Sequence, residues 1–250
     1  MIVLKSEDEI EKMYELGQTT GMVMDYLIDQ IKEGITTLEI DRMARARSKD
    51  VGAYPAFLGY AGFPKAICVS VNDEIVHGIP SKKCVIKNGD MVSLDFGLFK
   101  DGYYSDMART VLVGDVDEGA KKLNRVTKEC LDKAIEQARV GNHISDIGRA
   151  VEDHAVANGF SVVREYVGHG IGRELHEEPQ VPNYKTDSKG AEILSGMVLA
   201  IEPMINEGAR DLYVKRNRWT VVTKDHKRSS HFEDTVAITK DGVKLLTRLN

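Results

Sequence analysis

Apolar residues recur with a helical period from the start of the chain. Ile10, Met13, Met24, Leu27, Ile28 and Ile31 share one stripe, with a Ser6/Glu9 capping box ahead and Gly34 as the stop. A second helix is predicted from Thr36, with Glu39 three residues on, towards Gly52. The pattern then changes. Residues 53–80 are dense in turn residues and aromatics, and the apolar segments 91–99 and 103–114 read as strands joined at Asp101-Gly102. Helical periodicity returns over 117–139 and 144–158, ending at Asn158-Gly159. Further strands are predicted at 160–167, 197–205, 218–223 and 232–239. The mixture predicts an α/β (α+β) fold, one domain over residues 1–250.

The two halves echo each other. Residues 34–40, GITTLEI, align with 141–147, GNHISDI, and residues 88–95, NGDMVSLD, align with 195–202, SGMVLAIE, both at an offset of 107. In the second pair a glycine opens an apolar strand that delivers an acid six residues later, Asp95 or Glu202. A shared offset points to duplicated halves, roughly 1–114 and 115–250. Equivalent carboxylates would then meet between them, where a ligand site is expected.

Composition narrows the class. The chain is 42% hydrophobic and 29% charged with a net charge of −5, so no basic field argues for nucleic acid or an anionic membrane. No apolar stretch approaches the roughly 20 residues needed to span a bilayer. The opening MIVLKSEDEI turns acidic without a signal-like apolar core. Cys68, Cys84 and Cys130 lack C-x-x-C spacing and read as reduced thiols, so a cytoplasmic setting is the expectation; the chain is separately expected to be a monomer.

Five residues with donor atoms suited to divalent cations stand in apolar or glycine-rich settings: Asp95, Asp106, His169, Glu202 and Glu233. Taken singly, each has an ordinary alternative. The alternative for Asp95 is a strand-end acid, for Asp106 a turn residue beside the hairpin, and for His169 a structural histidine between Gly168 and Gly170. Glu202 is harder to set aside, because Glu is rarely buried unless paired. Asp234 follows Glu233 directly, and strand alternation turns one of the two outward. Four acids and one imidazole suit a pair of hard-to-borderline cations better than one structural zinc.

In its ordered spacing and in the segments CVSVNDEIVHGIP, DGYYSDMARTV, YVGHGIGRELHEEPQVPNY and GMVLAIEPM, the chain resembles the type I methionine aminopeptidases. The resemblance covers essentially the whole chain. It implies a pita-bread fold: two pseudo-symmetric halves around a central antiparallel sheet, with helices outside. It further implies two divalent metal ions (Co, Mn, Fe or Zn) held by Asp95, Asp106, His169, Glu202 and Glu233, with Asp106 and Glu233 shared. Glu202 would move protons, while His77 and His176 would contact the peptide at the scissile bond. Tyr60, Phe63, Cys68, Leu175 and Trp219 would form the pocket for the N-terminal Met of peptides and nascent proteins, preferring a small second residue. Transient ribosome contact is compatible with this role.

Several departures accompany the resemblance. Phe57, Phe63 and Leu175 stand where relatives carry Cys, Tyr and Phe, and Asp234 replaces the customary His of Glu-His-Thr. An acid at 234, next to a shared ligand, is expected to bear on metal affinity. His143, His154 and His226 are expected to be solvated, and His231 to reach the site indirectly at most. A proline-directed peptidase of the same fold and a catalytically inactive binding relative are the alternatives. Neither a long insertion before Trp219 nor an extension ahead of the first helix is apparent, which favours the type I form.

Overall fold

Helix α1 (Glu7–Gln30) begins at the predicted capping box, where Glu9 N–H donates to Ser6 Oγ at 3.2 Å and Ser6 N–H to Glu9 Oε2 at 3.0 Å. In a computed structural model of the chain, which describes residues 1–249, the helix ends before Gly34. Gly34 instead turns the chain at φ +90° and donates its N–H to Ile86 O. Helices α2 (Thr37–Asp50), α3 (Glu118–Gln137) and α4 (Ile144–Ala157) fall where periodicity puts them.

Five strands lie between α2 and α3: β1 (Tyr54–Pro55), β2 (Cys68–Val71), β3 (Glu74–Val76), β4 (Met91–Lys100) and β5 (Tyr103–Leu112). Asp101 and Gly102, both at positive φ, join β4 to β5 as the Asp-Gly signal predicted. After α4 come β6 (Ser161–Val162), β7 (Gly168–Gly170), β8 (Glu177–Val181), β9 (Val198–Ile201) and β10 (Met204–Asn206). The last five are β11 (Leu212–Val214), β12 (Val221–Thr223), β13 (Ser229–His231), β14 (Glu233–Thr239) and β15 (Gly242–Leu245). The central antiparallel sheet runs β1-β4-β5-β14-β9-β7-β8, with β2 also on β4 and β15 on β14.

Helices α1 and α3 pack against this sheet, and α2 and α4 pack on them in turn. One apolar core lies under α1 and α2 against β2 and β4; a second lies under α3 and α4 against β9 and β14. Several local features recur at the offset seen in the sequence. Isolated bridges join Thr36 to Val85 and His143 to Glu192, and Gly89 and Gly196 precede β4 and β9 at φ +89° and +95°.

Three predicted strands are shorter than expected. Segment 160–167 keeps only Ser161 and Val162, because exposed Arg164 and Glu165 leave for solvent. In 218–223 the first residues belong to a turn, where Asn217 Oδ1 accepts from both Trp219 and Thr220 N–H. Segment 197–205 breaks at Pro203, which has no amide to donate. The chain there leaves the central sheet for a second one, β13-β10-β6, and Glu202 stands at the break.

Alternation in β14 does turn Asp234 away from Glu233, yet not to solvent. Asp234 is fully buried, accepting from Arg109 at 2.6 Å, Arg248 Nε at 2.5 Å and Thr247 Oγ1 at 3.0 Å. Arg109 also donates to the carbonyl of Glu233 at 2.6 Å, tying β5 to β14. The charge expected to act on the metals is therefore paired with two arginines on the opposite face of the sheet. Removing one partner of a buried ionic network leaves uncompensated charge, so Asp234→Ala is expected to lose about 3–5 kcal/mol of stability in chemical denaturation. A loss below about 1 kcal/mol, the range of surface pairs, would refute this.

Candidate metal centre

Cross-strand register explains how distant acids meet. Cys68 on β2 faces Asp95 on β4, Asp95 faces Ala108 on β5, and Ala108 faces Glu233 on β14. Ala108 contributes only a methyl to this row, which leaves space between the two carboxylates. Asp106 lies two residues from Ala108 and so shares its face. Asp234 pairs with Ile201 on β9, so continuing the register brings Glu202 opposite Glu233. His169 on β7 pairs with Ala200, on the far side of β9.

Close strand approach is what the two glycines beside His169 provide. A Cβ on Gly168 would lie 2.4 Å from Ala200 O, and one on Gly170 2.3 Å from Glu178 O. The His169 ring donates Nδ1–H to Gly170 O at 2.9 Å, since a carbonyl can only accept. Its Nε2 lone pair is thereby left facing the cavity, 3.6 Å from Glu202 Oε1. Asp106 is held at both backbone atoms by one hydroxyl: its N–H donates to Thr235 Oγ1 at 3.2 Å, and that hydroxyl donates to its carbonyl at 2.7 Å. Where β9 ends, buried Asn183 donates to Glu202 O at 3.0 Å and fixes that backbone.

All five expected ligands line one cavity of about 260 Å³, together with His77, His176, Tyr60, Phe63, Cys68, Leu175 and Trp219. Every site residue expected from the sequence is therefore brought together. Phe57, named among the departures, lines it too, and Tyr166, Val76, Ala61 and Val167 do so without having been assigned a role. Tyr166 immediately precedes the Val-Gly-His signature; Asn183 lies within the YVGHGIGRELHEEPQVPNY segment. Thr235 and Ala108 act through a register that no local motif reveals.

His77 sits at φ +58°, an unusual conformation for a residue with a side chain, and its ring stacks edge-on to Tyr166 at 5.4 Å. His176 packs its ring 4.2 Å from that of His169, and its Nδ1 is 2.7 Å from the Tyr60 hydroxyl. Phe63 meets Trp219 edge-on at 5.1 Å, forming an apolar wall. Of the histidines expected to be solvated, His226 is largely exposed but pairs with Asp73, and His154 is mostly covered and bonded to Glu129. His143 takes the cap position of α4, its N–H donating to Asp146.

Electrostatics say what the arrangement lacks. Burial pushes Asp95 up to about 7 from its ordinary 3.8. Asp106, Glu202 and Glu233 are raised well above the usual range, first by burial and then by repulsion from one another and from Asp95. Burial, and then His176, hold His169 down near about 3; burial, and then His176, take His77 to about 4. Among the described residues no Lys or Arg side chain forms an ion pair with any of the four acids. Asp95 Oδ1, Asp106 Oδ1 and Glu233 Oε1 are buried without a hydrogen-bond partner. Buried acids clustered without a counter-charge, with oxygens and an imidazole lone pair aimed at one space, fit divalent cations. The donor atoms of Asp106, His169 and Glu233 lie within 4.8 Å of one another.

Comparison with known proteins agrees with this chemistry. The model of metallopeptidase family M24 matches residues 11–240. Methionine aminopeptidase 1 of Bacillus subtilis is 46% identical over 249 residues, covering 100% of both chains. The chain belongs to the methionine aminopeptidases of family M24. The crystal structure of methionine aminopeptidase from Thermotoga maritima superposes with a TM-score of 0.97, at 44% identity over 100% of both chains. Prolidase from Pyrococcus horikoshii shares the fold more distantly, with a TM-score of 0.80 and 26% identity, and this chain spans 65% of it. The pita-bread fold of this family is thus the fold of the chain, and divalent metal use comes with it.

Cation binding needs these carboxylates ionised, so it must expel the protons they retain. Asp95, raised to about 7, is protonated at pH 6 in the metal-free protein, whereas His169, held near about 3, carries no proton to release there. Calorimetry at pH 6 in two buffers of different ionisation enthalpy is expected to show release of about one proton or more per chain on metal binding. Release should fall as pH rises through about 7; proton uptake, or none released at pH 6, would contradict the burial argument.

Proposed function

We propose that residues 1–250 form one catalytic unit of two duplicated halves, about 1–114 and 115–250. It removes the initiator methionine from nascent proteins when the second residue is small. The observation carrying this reading is the convergence of four uncompensated acids and one imidazole beside an aromatic-lined pocket. Asp95, Asp106, His169, Glu202 and Glu233 would hold two divalent ions, with Asp106 and Glu233 contributing to both. When bound there, the cations supply Lewis acidity that polarises the scissile carbonyl and makes water a nucleophile at neutral pH.

The residues themselves orient, exclude water and move protons. Tyr60, Phe63, Cys68, Leu175 and Trp219 enclose the methionine side chain, whose thioether packs well against rings. Glu202 carries a carboxyl raised by burial. It takes the proton of the attacking water and delivers it to the leaving amine. Burial lowers the pKa of His176, so its ring is neutral at pH 7. With the Tyr60 hydroxyl donating to Nδ1, Nε2–H points to the carbonyl oxygen of the substrate, where negative charge develops. His77, pinned on its strained turn, contacts the peptide near the same bond. The setting is cytoplasmic, the chain acts as a monomer, and nascent chains are met at the ribosome. Among the described residues, no helix is long and apolar enough to cross a membrane.

Stripping the metal and returning Fe, Mn, Co or Zn one at a time tests the reading. Release of Met from a Met-Ala-Ser peptide should vanish on chelation and return with at least one ion. Cleavage of Xaa-Pro peptides in preference would favour a proline-directed peptidase, and failure of folded protein to take up metal would favour an inactive binding relative. Glu202→Gln should reduce kcat by roughly 10²–10⁴ while the protein stays folded. His176→Ala should cost about 10²–10³ in kcat, as for loss of one donor to the developing oxyanion. Unchanged kcat in either variant would remove that residue from its assigned role.

A further inference from the structure

His231 lies two residues before Glu233, at the end of β13, and its ring does more than the sequence anticipates. The residue is 1% exposed, and Nε2 has no hydrogen-bond partner among the described residues. That nitrogen stands 3.8 Å from Glu202 Oε2 and 4.0 Å from Glu233 Oε2. Both separations exceed a hydrogen bond, which ends at about 3.2 Å. They are somewhat wider than the roughly 3.4 Å between tetrahedral donors with bonds of about 2.1 Å, and within the limit of about 4.2 Å for two donors on one cation.

The backbone is fixed for this purpose. His231 N–H donates to Thr110 Oγ1 at 3.0 Å, and the same hydroxyl donates to His231 O at 2.8 Å. Glu202, His231 and Glu233 form a second triad whose donor atoms lie within 4.8 Å of one another, sharing Glu233 with Asp106 and His169. Each triad holds two carboxylates and one imidazole. The Glu202 carboxylate stands between the rings, with Oε1 3.6 Å from His169 Nε2 and Oε2 facing His231.

We propose that His231 is a sixth protein ligand of the metal centre, its Nε2 binding a divalent cation together with Glu202 and Glu233. The inference rests on the metallopeptidase reading of the site. A second imidazole in a carboxylate-rich centre favours borderline ions such as Fe, Co and Zn over Mn.

The test uses the full chain loaded with Co(II) and proton NMR, in which each ligating imidazole contributes a strongly shifted, exchangeable ring N–H signal. Two such signals are expected in the wild type. One should vanish in His231→Gln and persist in His77→Asn. A single signal in the wild type, or two that survive His231→Gln, overturns the proposal. Zinc and cobalt should also bind His231→Gln on the order of tenfold more weakly, with the melting temperature of the metal-free variant unchanged. Should that variant not fold, a crystal structure of the metal-loaded wild type decides. A cation about 2.0–2.1 Å from His231 Nε2 supports the assignment, and one beyond about 3 Å overturns it. Absence of any cobalt uptake would instead sink the metal centre as a whole, a failure distinct from a centre with one imidazole.

Discussion

Mutual repulsion among four carboxylates, two buried and two half-buried, is the constraint around which this molecule is organised. Asp95, Asp106, Glu202 and Glu233 are pressed into one cavity, and among the described residues no lysine or arginine pairs with them. A protein bearing such a cluster for stability alone would be expected to pair it or replace it with apolar side chains. Its arginines are instead placed behind the sheet, where Arg109 and Arg248 neutralise Asp234. The contrast between adjacent residues of β14 separates structural from functional charge. Asp234 is fully compensated on one face, while Glu233 is left wanting a cation on the other.

The fold makes that arrangement sustainable. Three of the four acids are anchored by a side chain on their backbone, whereas the Asp95 carboxyl meets the Cys68 thiol. Thr235 holds Asp106, Asn183 holds Glu202, and Arg109 holds the carbonyl of Glu233. The oxygens stay free for ligands while the main chain stays fixed, which is the preorganisation a metal site requires. Two apolar cores, one beneath each helical pair, supply the stability that the centre itself does not.

Much of this was legible in the sequence, for identifiable reasons. Long amphipathic helices with capping boxes announce themselves locally, as does the Asp101-Gly102 turn. The five candidate metal donors stand out because four are acids in otherwise apolar segments and the fifth is a histidine between two glycines. What stayed hidden depends on partners far away in the chain. Strands β7 and β8 are too short to show a period and exist through pairing with β9 and with each other. The burial of Asp234 needs Arg248 from the C-terminal segment, and the inward aim of His231 needs Thr110 from β5. Strand alternation put Glu233 and Asp234 on opposite faces but could not show that the face carrying Asp234 would be buried.

The most direct measurement is the divalent metal content of the folded chain after equilibrium dialysis, compared with that of Glu233→Gln. If the buried acids are gathered for cations, the wild type takes up metal. The variant, lacking the ligand common to both triads, should then lose occupancy while remaining folded. A folded wild type that takes up no metal, or a variant that binds it undiminished, would contradict the account.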